Sequence, residues 1–143
     1  MNFSNLINVI MEKASKKPRN IIAIAGAPTS GKSTLAKALT EQIPNSALFA
    51  LDGFHFDDSI LIKRRLLSRK GSPNTFGVNG FSYLLEHLAN GQDDIYVPSF
   101  DRDLEVSRNA AIFIPKSVKT IFVEGNYVLL DDPNWTVTQN SLT

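Results

Sequence analysis

The stretch GAPTSGKS at residues 26–33 fits the pattern G-x-x-x-x-G-K-[S/T], and it decides the fold. It is preceded by the apolar run NIIAIA at residues 20–25, which is typical of a strand buried on both faces of a parallel sheet. It is followed by STLAKALTEQI at residues 33–43, where an apolar side chain at every fourth position predicts a helix. A strand, a glycine-rich turn and a helix in this order predict a loop that binds phosphate groups.

Each fixed position of this pattern has a physical task. Gly26 and Gly31 permit a tight turn and a close approach of the backbone to the ligand. The Lys32 ammonium is expected to lie on the β- and γ-phosphates of ATP, and the Ser33 hydroxyl is expected to ligate Mg²⁺. The alternative is a plain glycine turn beside a solvated lysine. The residues expected to contact the nucleotide are Gly26, Ala27, Pro28, Thr29, Ser30, Gly31, Lys32, Ser33 and Thr34.

The composition is that of a soluble globular chain. Of its 143 residues, 43% are hydrophobic and 20% are charged, and the net charge is +1. This balance gives no general reason to expect nucleic acid or a membrane as a partner. The absence of cysteine excludes disulfides, thiolate metal sites and cysteine nucleophiles. We therefore expect a cytoplasmic protein that binds neither nucleic acid nor a membrane.

Two regions are expected along the chain. Residues 1–19 are predicted to contain an amphipathic leading helix, because Phe3, Leu6, Ile7 and Ile10 are spaced three or four apart. A targeting peptide is the alternative, and Glu12 argues against it. Residues 20–143 are expected to form the phosphate-binding domain.

Strands alternate with helices, which predicts an α/β fold with a mostly parallel sheet between helices. The expected strands are residues 20–25, 47–51 and 119–123, with a brief edge strand at 95–97. The expected helices are residues 33–43, 58–70 and a third that Asn79 caps and Gly91 ends. In such a fold the ligand lies beyond the carboxyl ends of the strands.

Two carboxylates are expected at that edge of the sheet. Glu124 closes the last apolar strand, where a carboxylate can hold Mg²⁺ directly or through water. Asp52, in LDGFHFDD, is either a general base for a substrate hydroxyl or a turn residue of an Asp-Gly pair, and its position alone leaves both open. His55 follows Asp52 by three positions and is therefore a candidate for contact with a substrate.

Five segments in order resemble the phosphoribulokinase and uridine kinase group of P-loop kinases. The similarity is strongest to the fructose-transport-system kinases and nucleoside/nucleotide kinase-like proteins, and it covers residues 21–135. Pantothenate kinase is a more distant relative. The segments are AGAPTSGKSTLA, LDGFHFDD, RKGSPNTFG, VPSFDRDLEVS and VEGNYVLLDDPNW.

The resemblance implies ATP-dependent phosphorylation of a hydroxyl group on a sugar, nucleoside or related metabolite. It assigns Asp52 as the base and Glu124 to the magnesium ion, and it leaves the identity of the acceptor open. The positions that resemble acceptor-pocket residues of the group are Arg69, Lys70, Asp101, Arg102 and Tyr127.

Members of this group usually continue well beyond the VEGNY segment. The resemblance therefore implies the amino-terminal portion of a kinase fold, without the last strands and the arginine-bearing lid. It also implies that residues 21–25 form an exposed apolar sheet edge, through which the chain is expected to self-associate. The alternative function is that of a nucleotide-binding fragment without catalytic activity.

Overall fold

A parallel sheet with strand order β1–β5–β2 forms the centre of the fold. In the computed structural model, which describes residues 2–27 and 30–143, the strands are β1 (Asn20–Ile24), β2 (Ser46–Ala50) and β5 (Thr120–Glu124). Glu124 is level with Ile24 on one side and with Ala50 on the other. The segments after all three strands therefore meet at one edge, and the predicted α/β fold is confirmed.

Five α-helices are described: α1 (Phe3–Ala14), α2 (Lys32–Gln42), α3 (Asp58–Lys63), α4 (Val78–Asn90) and α5 (Pro133–Thr136). Within the described part of the chain, none of these helices combines the length and apolar character that a membrane crossing requires. Short 3₁₀ turns lie at Leu51–Phe54, Leu67–Arg69, Pro73–Thr75 and Val137–Ser141.

The sheet is buried on both faces. On one face, Ile10 of α1 and Leu39 of α2 pack with Phe122 of β5, so the predicted leading helix lies on the sheet. On the other face, Phe81 of α4 and Trp135 of α5 belong to the core cluster that contains the neighbouring β5 residues Ile121 and Val123. Side chains of a strand alternate between faces, and an apolar run such as β5 therefore requires cover on both sides.

An antiparallel hairpin of β3 (Ile95–Asp101) and β4 (Val106–Ile114) forms a second sheet. The predicted edge strand at residues 95–97 is present, but its extent was wrong, because β3 continues to Asp101; β4 was not predicted. Pro98 lies where the pairing register shifts, between Val97 and Ser99. A proline is tolerated there because its missing N–H interrupts no ladder bond.

The predicted helix at residues 58–70 was also wrong in extent, because α3 ends at Lys63. Arg65 adopts a left-handed conformation with φ 57°. The N–H of Leu66 donates to the carbonyl of Leu61 at 2.8 Å, and the N–H of Arg65 donates to that of Ile62 at 3.1 Å. This pair of bonds is the Schellman motif that ends helices, usually with glycine in the left-handed position.

The start of α4 differs from the prediction, whereas its end does not. Gly77 is the N-cap residue, and no side chain caps the helix, so Asn79 lies within the first turn. Gly91 ends the helix in a left-handed conformation with φ 65°, as predicted.

Strand β1 lies at the edge of the described sheet, beside the strand that carries Glu124, as expected. It is less exposed than expected, since Ile21 and Ile24 are only 2% and 9% exposed. Thr143 pairs with the beginning of this edge. Its N–H donates to the carbonyl of Ile21 at 2.8 Å, and its hydroxyl accepts from the N–H of Ile21 at 2.7 Å.

Buried Arg19 fixes the chain just before β1. Its guanidinium donates to the carbonyls of Val118, Leu88, Pro115 and Lys116 at 2.8–3.0 Å. Burial lowers the pKa of this arginine below its ordinary value. The contacts join the end of α4 and the β4–β5 connection to the start of the central sheet.

Candidate active site

The glycine-rich loop connects β1 to α2. Gly31 has φ 87° and is the N-cap residue of α2, where no side chain caps the helix. The first N–H groups of α2 are thus left for an anionic ligand. A Cβ on Gly26 would lie 2.7 Å from the Ser30 hydroxyl, so a larger residue there would displace that side chain. Pro28 and Thr29, both predicted nucleotide contacts, lie outside the described residues.

Glu124 lies directly beside the start of α2. The Ser33 hydroxyl donates a hydrogen bond to Glu124 Oε1 at 3.2 Å, and Lys32 Nζ lies 3.6 Å from the same oxygen. Glu124 is only 5% exposed, and a buried carboxylate of this kind requires such partners. Lys32 and Ser33 at the start of α2 therefore form one polar cluster with Glu124 at the end of β5.

This cluster fits a magnesium ion. It presents a hydroxyl oxygen of Ser33 and a carboxylate of Glu124 side by side, and Mg²⁺ prefers oxygen ligands. Among the residues that the structure describes, no group of three or more His, Cys, Asp and Glu side chains could hold a metal ion. Most ligands of a magnesium ion here would thus be phosphate oxygens and water, as is usual for this ion.

Asp52 follows β2 in the 3₁₀ turn Leu51–Phe54. Its Oδ2 accepts from Arg102 Nη2 at 2.8 Å, and its side chain is 32% exposed. The next residue, Gly53, packs tightly on β3, because a Cβ there would lie 2.7 Å from the carbonyl oxygen of Pro98. The Ser107 hydroxyl of β4 also donates to the carbonyl of Gly53. The Asp-Gly pair is thus docked on the hairpin.

His55 is held in one orientation. Its Nδ1 lies 2.8 Å from the carbonyl oxygen of Asp52. A carbonyl only accepts, so Nδ1 must carry the hydrogen, and in the neutral ring Nε2 is left as an acceptor. The ring packs between Phe76 and Phe100, with centroid distances of 4.2 and 4.5 Å.

One cavity of about 670 Å³ joins these features. It extends from the phosphate loop past the Asp52 turn to the tip of the hairpin. Six predicted site residues line it: Lys32, Ser33, Asp52, His55, Lys70 and Arg102. It is also lined by Gly71, Phe76, Phe100, Glu105 and Asn126, which sequence reasoning did not select.

Three predicted acceptor residues do not line this cavity. Arg69 is exposed. The Tyr127 hydroxyl donates to the carbonyl of Gly71 at 2.7 Å and so supports the cavity wall from behind. Asp101 Oδ1 accepts from the N–H groups of Asp103 and Leu104, both at 3.0 Å, in the hairpin turn.

The pKa of Asp101 lies below its ordinary value. The N–H of Leu104 is the main cause, followed by Arg108, whose Nε lies 2.9 Å from Asp101 Oδ2. Asp101 therefore shapes the hairpin turn in its charged form.

The missed lining residues Phe100 and Glu105 belong to the hairpin, which the sequence pattern did not reveal. Asn126 had a usable signal, since it lies two residues after Glu124 at the edge where ligands bind.

No family model matches the chain. A "putative uridine kinase" of Schizosaccharomyces pombe is 30% identical, over 94% of this chain and 62% of its own length. A solved structure, that of a "putative fructose transport system kinase" from Silicibacter sp., is 34% identical and has a TM-score of 0.90. The match covers 99% of this chain and 71% of that one. This chain belongs to the uridine kinase group of P-loop kinases.

The pantothenate kinase of Bacillus subtilis is a further relative of this chain. It is 31% identical over 86% of this chain and 41% of its own length. The chain thus spans 41–62% of the length of these two curated relatives. The predicted resemblance is confirmed.

Proposed function

We propose that this kinase transfers the γ-phosphoryl group of ATP to a hydroxyl group of a small metabolite. The observation that carries the proposal is the single cavity that joins Lys32 and Ser33 of the phosphate loop to the carboxylate of Asp52. A nucleotide at one end and an acceptor at the other would then meet within one site. A cytoplasmic location, where ATP is abundant, is part of this proposal.

The phosphate loop would bind the nucleotide. The uncapped N-terminus of α2 would direct its N–H groups at the phosphates, and Lys32 would add a positive charge beside them. Ser33 and Glu124 would hold the magnesium ion. When bound, this ion neutralises the charge that develops on the phosphate oxygens.

Asp52 would act as the general base. Its Oδ2 is held by Arg102, whereas Oδ1 has no hydrogen-bond or ion-pair partner among the described residues. Oδ1 can therefore take the proton of the acceptor hydroxyl while its oxygen attacks the γ-phosphorus and ADP leaves. Nε2 of His55 and the N–H groups of Arg102 that have no partner among the described residues would orient the acceptor.

The names of the relatives support a hydroxyl-bearing acceptor. They refer to uridine, to pantothenate and to a fructose transport system. These compounds share an alcohol group and little else. Sugars, nucleosides and pantothenate-like compounds are thus the acceptor classes to test.

Phosphorus NMR of Mg·ATP mixed with uridine, fructose or pantothenate tests the proposal. We expect ADP and a phosphorylated acceptor to form together in at least one mixture, and the Asp52→Asn variant to lose this signal. If the chain binds Mg·ATP and transfers phosphate to none of them, the alternative of a non-catalytic nucleotide-binding fragment is favoured.

A further inference from the structure

We infer that Lys70 is a positioning residue that fixes the hairpin turn at residues 102–105 and thereby sets Arg102 against Asp52. Lys70 follows the 3₁₀ turn Leu67–Arg69, and its side chain is 18% exposed. From there it contacts α3 on one side and the hairpin turn on the other. It therefore joins α3 and the segment just after it to a hairpin turn that lies 35 positions further along the chain.

Lys70 is held by two hydrogen bonds and a second ion pair within the protein. Its Nζ lies 2.9 Å from Asp58 Oδ1, 2.9 Å from the carbonyl oxygen of Glu105 and 3.5 Å from Glu105 Oε2. An ammonium group has three N–H donors and no acceptor. Two of them are used in hydrogen bonds to Asp58 and to the carbonyl of Glu105, and the charge is also paired with the Glu105 carboxylate. Lys70 lines the cavity, but its main contacts are therefore within the protein.

The charge of Lys70 is maintained by the same partners. Burial by itself lowers the pKa of Lys70, but the hydrogen bond and charge of Asp58, together with Glu105, raise it above its ordinary value. Nζ also lies 5.3 Å from the centroid of the Phe100 ring, a favourable cation–π distance. The ammonium therefore stays protonated at neutral pH.

The hairpin turn needs such a contact. Glu105 has φ 55°, a left-handed conformation that residues other than glycine seldom adopt. Lys70 binds the carbonyl group of this residue, while Asp101 binds the N–H groups of Asp103 and Leu104. The turn is thus held from both sides.

Arg102 depends on the turn for its position. Its side chain is 72% exposed, and an exposed ion pair with Asp52 contributes little by itself. The guanidinium lies against Asp52 because the backbone of the turn places it there. Its remaining N–H groups make Arg102 a cation available to an acceptor. The kinetic consequence of this inference rests on the proposed function, whereas the structural one does not.

Hydrogen exchange of backbone amides, followed by mass spectrometry, tests the structural part. In Lys70→Gln we expect residues 101–106 to exchange about tenfold faster, the effect of losing a charge-assisted hydrogen bond. Lys63→Gln, which alters an exposed lysine of α3, is the matched control and should leave this segment unchanged. Unchanged exchange of residues 101–106 in Lys70→Gln, or equal acceleration in the central strand β5, would overturn the inference.

Chemical modification of arginine tests whether Lys70 acts through Arg102. Phenylglyoxal should modify Arg102 faster in Lys70→Gln than in the parent, with exposed Arg64 as the internal reference. Lys70→Arg, which retains the charge and the donors, should partly restore the parental rate of Arg102 modification. Equal reactivity of Arg102 in parent and Lys70→Gln would overturn the inference.

A double-mutant cycle tests the kinetic consequence. Lys70→Gln should raise the KM for the acceptor in the parent background and have no further effect in Arg102→Ala. An effect of the same size in both backgrounds would show that Lys70 does not act through Arg102. If no acceptor is phosphorylated, the proposed function fails, while the exchange and modification results still decide the inference.

Discussion

The Ser33 hydroxyl donates a hydrogen bond to Glu124 at 3.2 Å, although the two residues are 91 positions apart in sequence. The parallel register places Glu124 level with Ile24, so the loop after β1 begins beside this carboxylate. The magnesium half of the proposed site is therefore a consequence of the pairing between β1 and β5.

Glu124→Gln tests this half of the site. Glutamine keeps the size and can still accept from Ser33, but it removes the charge. We expect affinity for ATP with Mg²⁺ to fall about tenfold, the scale of one charge-assisted contact, and affinity for ATP without Mg²⁺ to remain. Calorimetry in both conditions measures this, and Glu41→Gln, on the exposed side of α2, is the control. An equal loss in both conditions would argue against a role in binding the ion.

Asp52→Asn separates a general base from a turn residue. Asparagine keeps the turn preference but cannot accept the proton. We expect phosphoryl transfer to fall on the order of 10²-fold, with Mg·ATP affinity nearly unchanged. Asp131→Asn, an exposed carboxylate outside the cavity, serves as the comparison in the same assay. A parental rate in Asp52→Asn would leave the turn interpretation as the correct one.

Asp101 makes the stability of the chain depend on pH. Its pKa in the folded chain lies below the ordinary value of 3.8, so its contribution to stability is present above that pH and is lost as the pH falls through the folded value. Asp101→Ala should therefore destabilise the chain at pH 7 and have a smaller effect at pH 3. Urea unfolding at both values measures the difference. If Asp101→Ala lowers the free energy of unfolding by the same amount at pH 7 and pH 3, the charged form of Asp101 has no special role in stability.

We also propose that the chain self-associates through the open edge of β1. A largely apolar groove of about 680 Å³ runs along this edge, and Leu129, which is 52% exposed, lines it. The backbone N–H and carbonyl of Ile21 that face away from the sheet form hydrogen bonds with Thr143. Those of Ala23 have no partner among the described residues. Unpaired edges of this kind favour pairing with another chain.

Sedimentation velocity tests this proposal with a charge placed in the groove. Leu129→Lys should shift the chain toward monomer, whereas Leu104→Lys, in the hairpin turn, should not. A parent that is monomeric at all concentrations, or an equal effect of both substitutions, would contradict association through this edge.

The elements that were predicted correctly are those whose sequence pattern lies entirely within the element itself. The apolar runs of β1, β2 and β5 and the GAPTSGKS loop can be recognised without knowing what they contact. The helix at residues 58–70 was overextended because its end depends on Arg65 in a left-handed conformation, which glycine usually provides.

The hairpin was missed for a different reason. Strand β4 is mostly exposed and shows no alternation of apolar and polar residues, so its pairing with β3 left little trace in the pattern. The contacts of Arg102 with Asp52 and of Lys70 with Glu105 both depend on this hairpin. Sequence reasoning thus named Asp52, Lys70 and Arg102 but could not tell which of them touch one another.

Calorimetry of Mg·ATP binding to the parent and to Lys32→Ala tests the central claim most directly. The substitution removes the side-chain cation beside the phosphates, a contact worth about 1.5–3 kcal/mol. The account predicts at least tenfold weaker binding in Lys32→Ala and parental binding in Lys37→Ala, which alters an exposed lysine of the same helix. Equal affinity in Lys32→Ala and the parent, or no binding of Mg·ATP by the parent, would contradict it.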